Sequence, residues 1–389
     1  MTRTRALVSF ALCSSALLWP VAVGAQEDSC AMVRSFGLER FRSADSLIAK
    51  CRQASSTPTS DTRSPTTRSV AAAVPAGAAP SSDLRERALE GYQTVTRTPR
   101  SIYVNDDRSE AEENPAPIIQ RAAKATALIV DRRDLKRTAN GYHLDIHPYL
   151  VQERSFPLEP LCDDQKFHKQ MAGGFCTAFL ISETIVATAG HCVQFSDVDD
   201  RDAENNRLAV VFGYEMRGDK ERTTFLADEV FDVLYVRERS GPVPGPDFAV
   251  LELTRPVPAT TAQPFRLPGK AGRTVSEGTH LGLIGHPSGL PKKLSFNGSN
   301  VVLKSDAAQA DSAFSAQVNA FHGNSGSPLV FYDEPDVVAG ILVKGQQDFI
   351  FDIEKSCYRT NVYAEKQLCA GQLCAEGATK ATLLEKFLP

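Results

Sequence analysis

Several features are scarce or missing in this 389-residue chain, and each narrows what it can be. There is no basic excess: 43 Lys and Arg stand against 47 Asp and Glu, a formal net charge of −4. The electrostatic footprint of a nucleic-acid binder is therefore lacking. No acidic tail marks a solvating segment. Beyond residue 25 no apolar run reaches the roughly 18 residues that a membrane-spanning helix needs. None of the nine cysteines falls in a CxxC pair, which removes the usual basis for a zinc site. No internal repeat is visible.

What is present begins with a leader. Arg3 and Arg5 precede a mainly apolar stretch from Ala6 to Val23, and Val23-Gly24-Ala25 ends in small residues. Residues 1–25 thus read as a signal peptide, and the mature protein as secreted or periplasmic. An uncleaved anchor fits less well, because Cys13, Ser14, Ser15 and Pro20 interrupt the run. Eight cysteines follow the leader, an even number that implies disulfides in an exported chain.

Residues 26–52 are expected to be helical. Met32, Val33, Phe36, Phe41, Leu47 and Ile48 recur near helical spacing, Gly37 marks a break, and Cys30 and Cys51 are placed to staple the resulting hairpin. Residues 53–99 form a linker or propeptide-like region, of which 53–83 is rich in Ser, Thr, Pro and Ala and cannot bury enough apolar surface to offset ordering entropy. From about residue 119 short β-rich runs dominate: 127–130, 176–181, 185–187, 208–212, 230–236 and 248–253. After the proline-rich stretch 256–264 come 280–284, 301–303, 315–318, 329–332, 337–343 and 349–351. Many short strands without an alternating helix predict an all-β barrel or sandwich. A C-terminal helix is expected over about 379–387.

Three islands carry chemistry: Ile185-Val-Ala-Thr-Ala-Gly-His191-Cys192, Pro246-Asp247 before the apolar run Phe248–Leu251, and His322-Gly-Asn-Ser325-Gly-Ser-Pro328. A serine hydroxyl needs a base to become nucleophilic. Histidine titrates nearest neutrality and can return the proton to a leaving group. A buried aspartate fixes its tautomer and stabilises the imidazolium. The sequence thus nominates His191, Asp247 and Ser325 as a catalytic triad. Glycines around the serine allow a sharp turn, and the N–H groups of Gly323 and Ser325 are the candidate oxyanion hole. Rivals are Ser327 for the nucleophile and Asp197, Asp199 and Asp200 for the acid. No cofactor is called for, and His143, His147 and His168 form no metal pattern.

These motifs resemble those of the trypsin-like serine proteases of the chymotrypsin fold, in particular the bacterial branch that includes the glutamyl endopeptidases. Thr188-Ala-Gly-His191-Cys192 is similar to the family's histidine motif and Gly323-Asn-Ser325-Gly-Ser-Pro328 to the branch's serine motif. Tyr103-Val-Asn-Asp-Asp-Arg108 and Gly285-His286-Pro-Ser-Gly-Leu-Pro291 resemble its domain-opening segment and a loop of its bacterial members. The resemblance covers residues 100–389. It implies two six-stranded β-barrels, at about 119–255 and 265–378, with the active site between them, and a Cys176–Cys192 disulfide bracing His191. It leaves the pairing of Cys162, Cys357, Cys369 and Cys374 open. It places Asn319 near the base of the specificity pocket and Leu342 where glutamyl endopeptidases carry a histidine. Neither residue is charged, so a preference for uncharged side chains is the expectation. Asn324 replaces the aspartate that trypsin-type zymogens pair with a new N-terminus.

Function follows as an expectation: a secreted serine endopeptidase acting on protein or peptide substrates through an acyl-enzyme. The alternatives are an esterase on the same fold or a catalytically silent homologue that binds partners. The linker composition permits residues 26–99 to be either a propeptide or a retained module.

Overall fold

The computed structural model describes residues 102–103, 105–151, 158–193, 207–241, 246–296, 298–304, 312–364, 367–369 and 372–388. The leader, the expected helical segment with Cys30 and Cys51, the linker, and Asp197, Asp199 and Asp200 lie outside the described residues.

The first six apolar runs become six strands: β1 (Thr126–Asp131), β2 (Cys176–Ser182), β3 (Ile185–Thr188), β4 (Leu208–Phe212), β5 (Val230–Ser240) and β6 (Phe248–Leu253). They pair antiparallel in the order β2-β3-β6-β5-β4-β1, and β1 returns to β2 to close a barrel. Closure explains the sequence pattern. β4 is buried at every position, LAVVF, because inward side chains fill the barrel and outward ones are covered, so the alternation of a one-sided sheet is missing. Phe212 and Phe231 meet edge-to-face at 5.7 Å, a favoured aromatic geometry.

The second half is built from β7 (Leu281–Gly285), β8 (Val301–Lys304), β9 (Ala313–Gln317), β10 (Pro328–Phe331), β11 (Glu334–Lys344) and β12 (Glu376–Lys380). Their order is β7-β10-β11-β12-β9-β8. An antiparallel bridge between His280 and Val301, with Leu281 N–H donating to the Asn300 carbonyl at 3.0 Å, brings β8 back beside β7. This completes a second circuit of six strands. Strands Lys293–Ser295 and Ser109–Glu110 extend β7 on its other edge. One core cluster is common to both halves: Phe179 and Val250 from the first barrel pack in the same group as Ile284, Val330 and Ile341 from the second.

Two details depart from the sequence expectations. Residues Phe349–Asp352 do form a strand, but it pairs with Cys357–Thr360 as a separate hairpin. The sixth strand of the second barrel is instead Glu376–Lys380, so Thr379 is in a strand, and the C-terminal helix begins at Ala381 and is of the 3₁₀ type. Its polar, glycine-containing sequence EGATK gives little strand signal of its own; pairing with β9 and β11 on both sides decides it. The structure also contains an α-helix, α1 (Pro117–Lys124), which opens on proline and ends with Arg121 and Lys124 in its last turn, the favoured placement for both residue types.

Two lysines are fully buried beside this helix. Lys292 donates to the Ala123 carbonyl at 2.6 Å, satisfying a carbonyl at the helix C-terminus, and Lys293 meets Glu110 at 2.9 Å. Burial pulls each ammonium down to about 8. A free lysine in the unfolded chain titrates at about 10.4. Between these values the unfolded state binds more protons, so stability rises with pH over roughly pH 8 to 10. Thermal unfolding at closely spaced pH values should show Tm climbing through this window. Lys292→Met should flatten the climb, and an unchanged slope in that variant would refute the assignment.

Candidate active site

The antiparallel pairing of β3 with β6 sets Thr188 opposite Ala249. The chain that leaves β3 therefore runs beside the chain that enters β6, and His191 arrives next to Asp247. His191 sits on a single 3₁₀ turn, Gly190–Cys192. Its Nδ1 lies 2.6 Å from Asp247 Oδ2, and its backbone N–H donates to Asp247 Oδ1 at 3.0 Å. Both carboxylate oxygens are thus committed to one histidine. The approach needs Gly190, where a Cβ would stand 1.9 Å from the Ser240 carbonyl oxygen. Asp247 is 5% exposed and the His191 side chain 36%, so the acid is shielded while the base faces the cleft. An Nδ1–H given to Asp247 leaves the Nε2 lone pair as the proton acceptor. The second barrel braces the acid, since Thr379 Oγ1 donates to the Asp247 carbonyl at 2.8 Å.

Ser325 lies in the loop before β10, flanked by Gly323 at φ +83° and Gly326 at φ +87°, a conformation that glycine adopts at little cost. The loop presses on the strands that carry the histidine. Thr177 N–H donates to the Ser325 carbonyl at 2.9 Å, Thr177 Oγ1 donates to the Gly323 carbonyl at 2.9 Å, and the Cys192 sulfur is 3.6 Å from the Ser325 carbonyl oxygen. A Cβ on Gly326 would come within 2.1 Å of the Thr177 carbonyl oxygen and Thr188 Oγ1. Among the described residues no hydrogen bond joins Ser325 Oγ to His191 Nε2.

The backbone donors of this loop divide into two sets. The N–H groups of Asn324, Gly326 and Ser327 donate to Phe321, Leu342 and Asn324 carbonyls at 3.0, 2.7 and 2.8 Å. Those of Gly323 and Ser325 have no acceptor among the described residues, which is what an oxyanion site requires. Ser327 is fully buried and donates to Asn324 Oδ1, so it is not positioned to attack a substrate.

Cys176 is bonded to Cys192, Cys162 to Cys357 and Cys369 to Cys374. The first bridge ties β2 to the histidine turn. Its two sulfurs and a His191 ring nitrogen lie within 4.8 Å of one another, but a disulfide lacks the thiolates that a metal would need.

Beside Ser325 opens a cavity of about 180 Å³, lined among others by Phe321, His322, Leu342, Gly345, Asp348 and Glu376. Leu342 is on its wall. Asn319 is not one of the residues that line it. It is buried and turned toward the N-terminal segment, accepting from Tyr103 N–H at 2.7 Å and donating to the Asn105 carbonyl at 2.7 Å and to Asp107. The acids of the cavity, Asp348 and Glu376, escaped the sequence reading because nothing local marks them. Asp348 accepts from the His322 backbone N–H at 2.7 Å and contacts His322 Nδ1 at 2.7 Å. His286 is fully buried; its Nδ1 is 3.0 Å from the Leu290 carbonyl oxygen, and burial holds its ring well below the usual histidine range. It shapes a loop rather than facing the cleft.

A larger depression of about 490 Å³ is lined by groups such as Arg273, His280 and Asp333. Its charges are engaged with each other, Arg273 with Asp333 at 2.7 Å, and it contains none of the residues nominated for catalysis.

Comparison with known proteins adds three findings. Residues 164–350 match the family model described as Trypsin. No curated protein matches the chain. Among solved structures, a Glu endopeptidase in complex with MPD is similar at 15% identity and a TM-score of 0.37, over 72% of this chain and 93% of that one. Human heparin binding protein is similar at 16% identity and a TM-score of 0.38, over 69% and 90%. An inactivated protease paralogue of the scabies mite is similar at 17% identity and a TM-score of 0.35, over 55% and 85%.

Proposed function

Because this chain carries a trypsin-like serine protease domain, we propose that it is an active endopeptidase that cleaves protein substrates outside the cytoplasm. His191, Asp247 and Ser325 are the catalytic residues of this reading. The observation that carries it is the 2.6 Å contact between His191 and buried Asp247, set against a serine loop whose Gly323 and Ser325 N–H groups are unengaged.

In the reaction, His191 Nε2 takes the Ser325 proton as Oγ bonds to the scissile carbonyl carbon. The carbonyl oxygen becomes an anion stabilised by the N–H groups of Gly323 and Ser325. Collapse breaks the C–N bond, and His191 gives its proton to the departing amine. Water, activated by the same histidine, then hydrolyses the acyl-enzyme and restores Ser325. Asp247 stabilises the imidazolium in both halves of the cycle. Three disulfides fit an oxidising compartment, and no helix among the described residues is long and apolar enough to cross a membrane.

The test is reaction of the purified protein with a fluorophosphonate probe, mapping of the adduct by mass spectrometry, and digestion of a mixed peptide library. An adduct on Ser325 together with peptide cleavage is the expected result. An adduct without cleavage of any peptide would replace the endopeptidase reading by an esterase. No adduct on folded, processed protein would leave a silent binding homologue.

A further inference from the structure

The loop after β7, residues 286–290, leans against the serine loop and carries a strained backbone. Ser288 is buried, with φ +56° and ψ +24°. A residue with a Cβ enters this left-handed region at a cost and stays there only where its surroundings hold it. Here they do. Tyr149, 6% exposed, donates its hydroxyl to Ser288 Oγ at 2.5 Å across 139 residues. The neighbouring Gly289 carbonyl accepts the Gly173 N–H at 2.9 Å, and the His286 N–H donates to Thr177 Oγ1 at 3.0 Å. Both contacts fasten the loop to the chain of the first barrel. What the strained conformation delivers is one hydrogen bond: the Ser288 N–H donates to the His322 carbonyl at 2.5 Å.

We propose that Ser288, held by Tyr149, is a positioning residue for the oxyanion site and fixes the peptide between His322 and Gly323 with its N–H toward the cleft. This role rests on the endopeptidase reading and adds two residues to the machinery that the triad and the two donors do not include.

The geometry of one peptide unit carries it. The His322 carbonyl and the Gly323 N–H belong to the same planar trans peptide and point in opposite directions. Anchoring the carbonyl on Ser288 turns the Gly323 N–H away from the 286–290 loop, where it has no acceptor among the described residues. Rotation of that peptide by half a turn would aim the carbonyl oxygen at the anion site and remove a donor. The flanking groups are held as well. The His322 N–H donates to Asp348 Oδ2 at 2.7 Å, and the Gly323 carbonyl accepts from Thr177 Oγ1 at 2.9 Å. A Cβ on Gly323 would stand 2.6 Å from the Ser288 nitrogen and 2.7 Å from the His286 carbonyl oxygen, so the two loops meet backbone to backbone. Tyr149 is itself fixed. Its ring meets Phe349 edge-on at 6.0 Å within the core group that contains Phe321 and Tyr358.

Steady-state kinetics of the full, processed protein on one peptide substrate tests the role. Tyr149→Phe removes only the hydroxyl. It should lower kcat at least about 10-fold, less than deletion of an oxyanion donor, with KM kept within about 2-fold, because the lost contact matters only in the transition state. Ser288→Ala removes the partner of that hydroxyl and keeps the Cβ, so it should resemble Tyr149→Phe, and the two losses should not add. Ser288→Gly placed in the Tyr149→Phe background accepts the left-handed conformation without strain and should restore kcat to within about 3-fold of wild type. A Tyr149 that served stability alone would lower Tm and would not be rescued by the glycine. Inhibition by a peptide aldehyde, whose tetrahedral adduct places an oxyanion in the same site, should weaken at least about 10-fold in Tyr149→Phe. An unchanged kcat in Tyr149→Phe, or a loss that Ser288→Gly leaves in place, overturns the inference, while hydrolysis by wild type keeps the endopeptidase reading. A wild type that cleaves only esters does the reverse, provided that Tyr149→Phe slows its reaction with a fluorophosphonate and Ser288→Gly restores it.

Discussion

Asp247→Asn should lower kcat by about 10⁴-fold in a protein that unfolds at an unchanged temperature. The two contacts of this residue explain both halves of the expectation. Oδ1 accepts the His191 backbone N–H and Oδ2 faces Nδ1. An asparagine can keep its carbonyl oxygen on the backbone N–H, which preserves the turn. Its NH₂ then faces Nδ1 and donates to it, so the histidine proton moves to Nε2. The atom that should accept the Ser325 proton becomes a donor, and the charge that stabilised the imidazolium is gone. Ser325→Ala should lose more, about 10⁶-fold, and should not be made worse by adding Asp247→Asn, because in the proposed mechanism the three residues act as one unit. Steady-state kinetics of the two single variants and the double, with Tm measured alongside, checks this. A fall of less than about 10-fold in Asp247→Asn would transfer the acid's role elsewhere, and additive losses would contradict a shared mechanism.

Removing the Cys162–Cys357 bridge should cost about 5 kcal/mol, the largest stability loss among the three disulfides. The bridge closes a loop of 195 residues, against 16 for Cys176–Cys192 and 5 for Cys369–Cys374. Chain entropy removed from the unfolded state grows with loop length, which gives losses of about 5, 3 and 2 kcal/mol in that order. The native contacts agree with a long-range staple. Leu161 bridges Tyr358, and Cys162 N–H donates to the Tyr358 carbonyl at 2.9 Å. The segment before β2 is thereby fastened to the hairpin that packs against the cavity through Phe349, whose ring lies 4.6 Å from that of Phe321. Denaturant midpoints of the three paired Cys→Ala variants test the ranking. A greater loss from Cys369–Cys374 than from Cys162–Cys357 would show that local packing, rather than loop closure, sets their contributions. The Cys176–Cys192 variant should additionally lose activity beyond its loss of stability, since that bridge ties β2 to the turn presenting His191.

The first barrel was legible in the sequence because its strands are short, almost continuously apolar and separated by turn residues. Ala127–Val130 and Leu208–Phe212 need no partner to be recognised. The motifs that nominate the triad stand out for a related reason. His191 and Ser325 lie in compact motifs whose glycines serve a turn within a few residues, and Asp247 stands at the mouth of an apolar strand. The β3–β6 register then turns that order into a 2.6 Å contact.

Elsewhere the determining partners are far apart in the chain. EGATK becomes the sixth strand of the second barrel only because β9 and β11 pair with it on both sides; its weak local signal gave no strand, and the expected helix was drawn over its last two residues. Four cysteines permit three pairings, and only the fold brings residues 162 and 357 together. The cavity beside Ser325 is the extreme case: Tyr103, Asp348 and Glu376 meet through packing of segments separated by hundreds of residues, while Asn319, suggested by spacing from the serine, is bonded to Tyr103 and Asn105. Windows of a few residues encode periodicity, turns and catalytic motifs. The charge at the floor of a pocket depends on which strands end side by side, and that is fixed only when the barrels close.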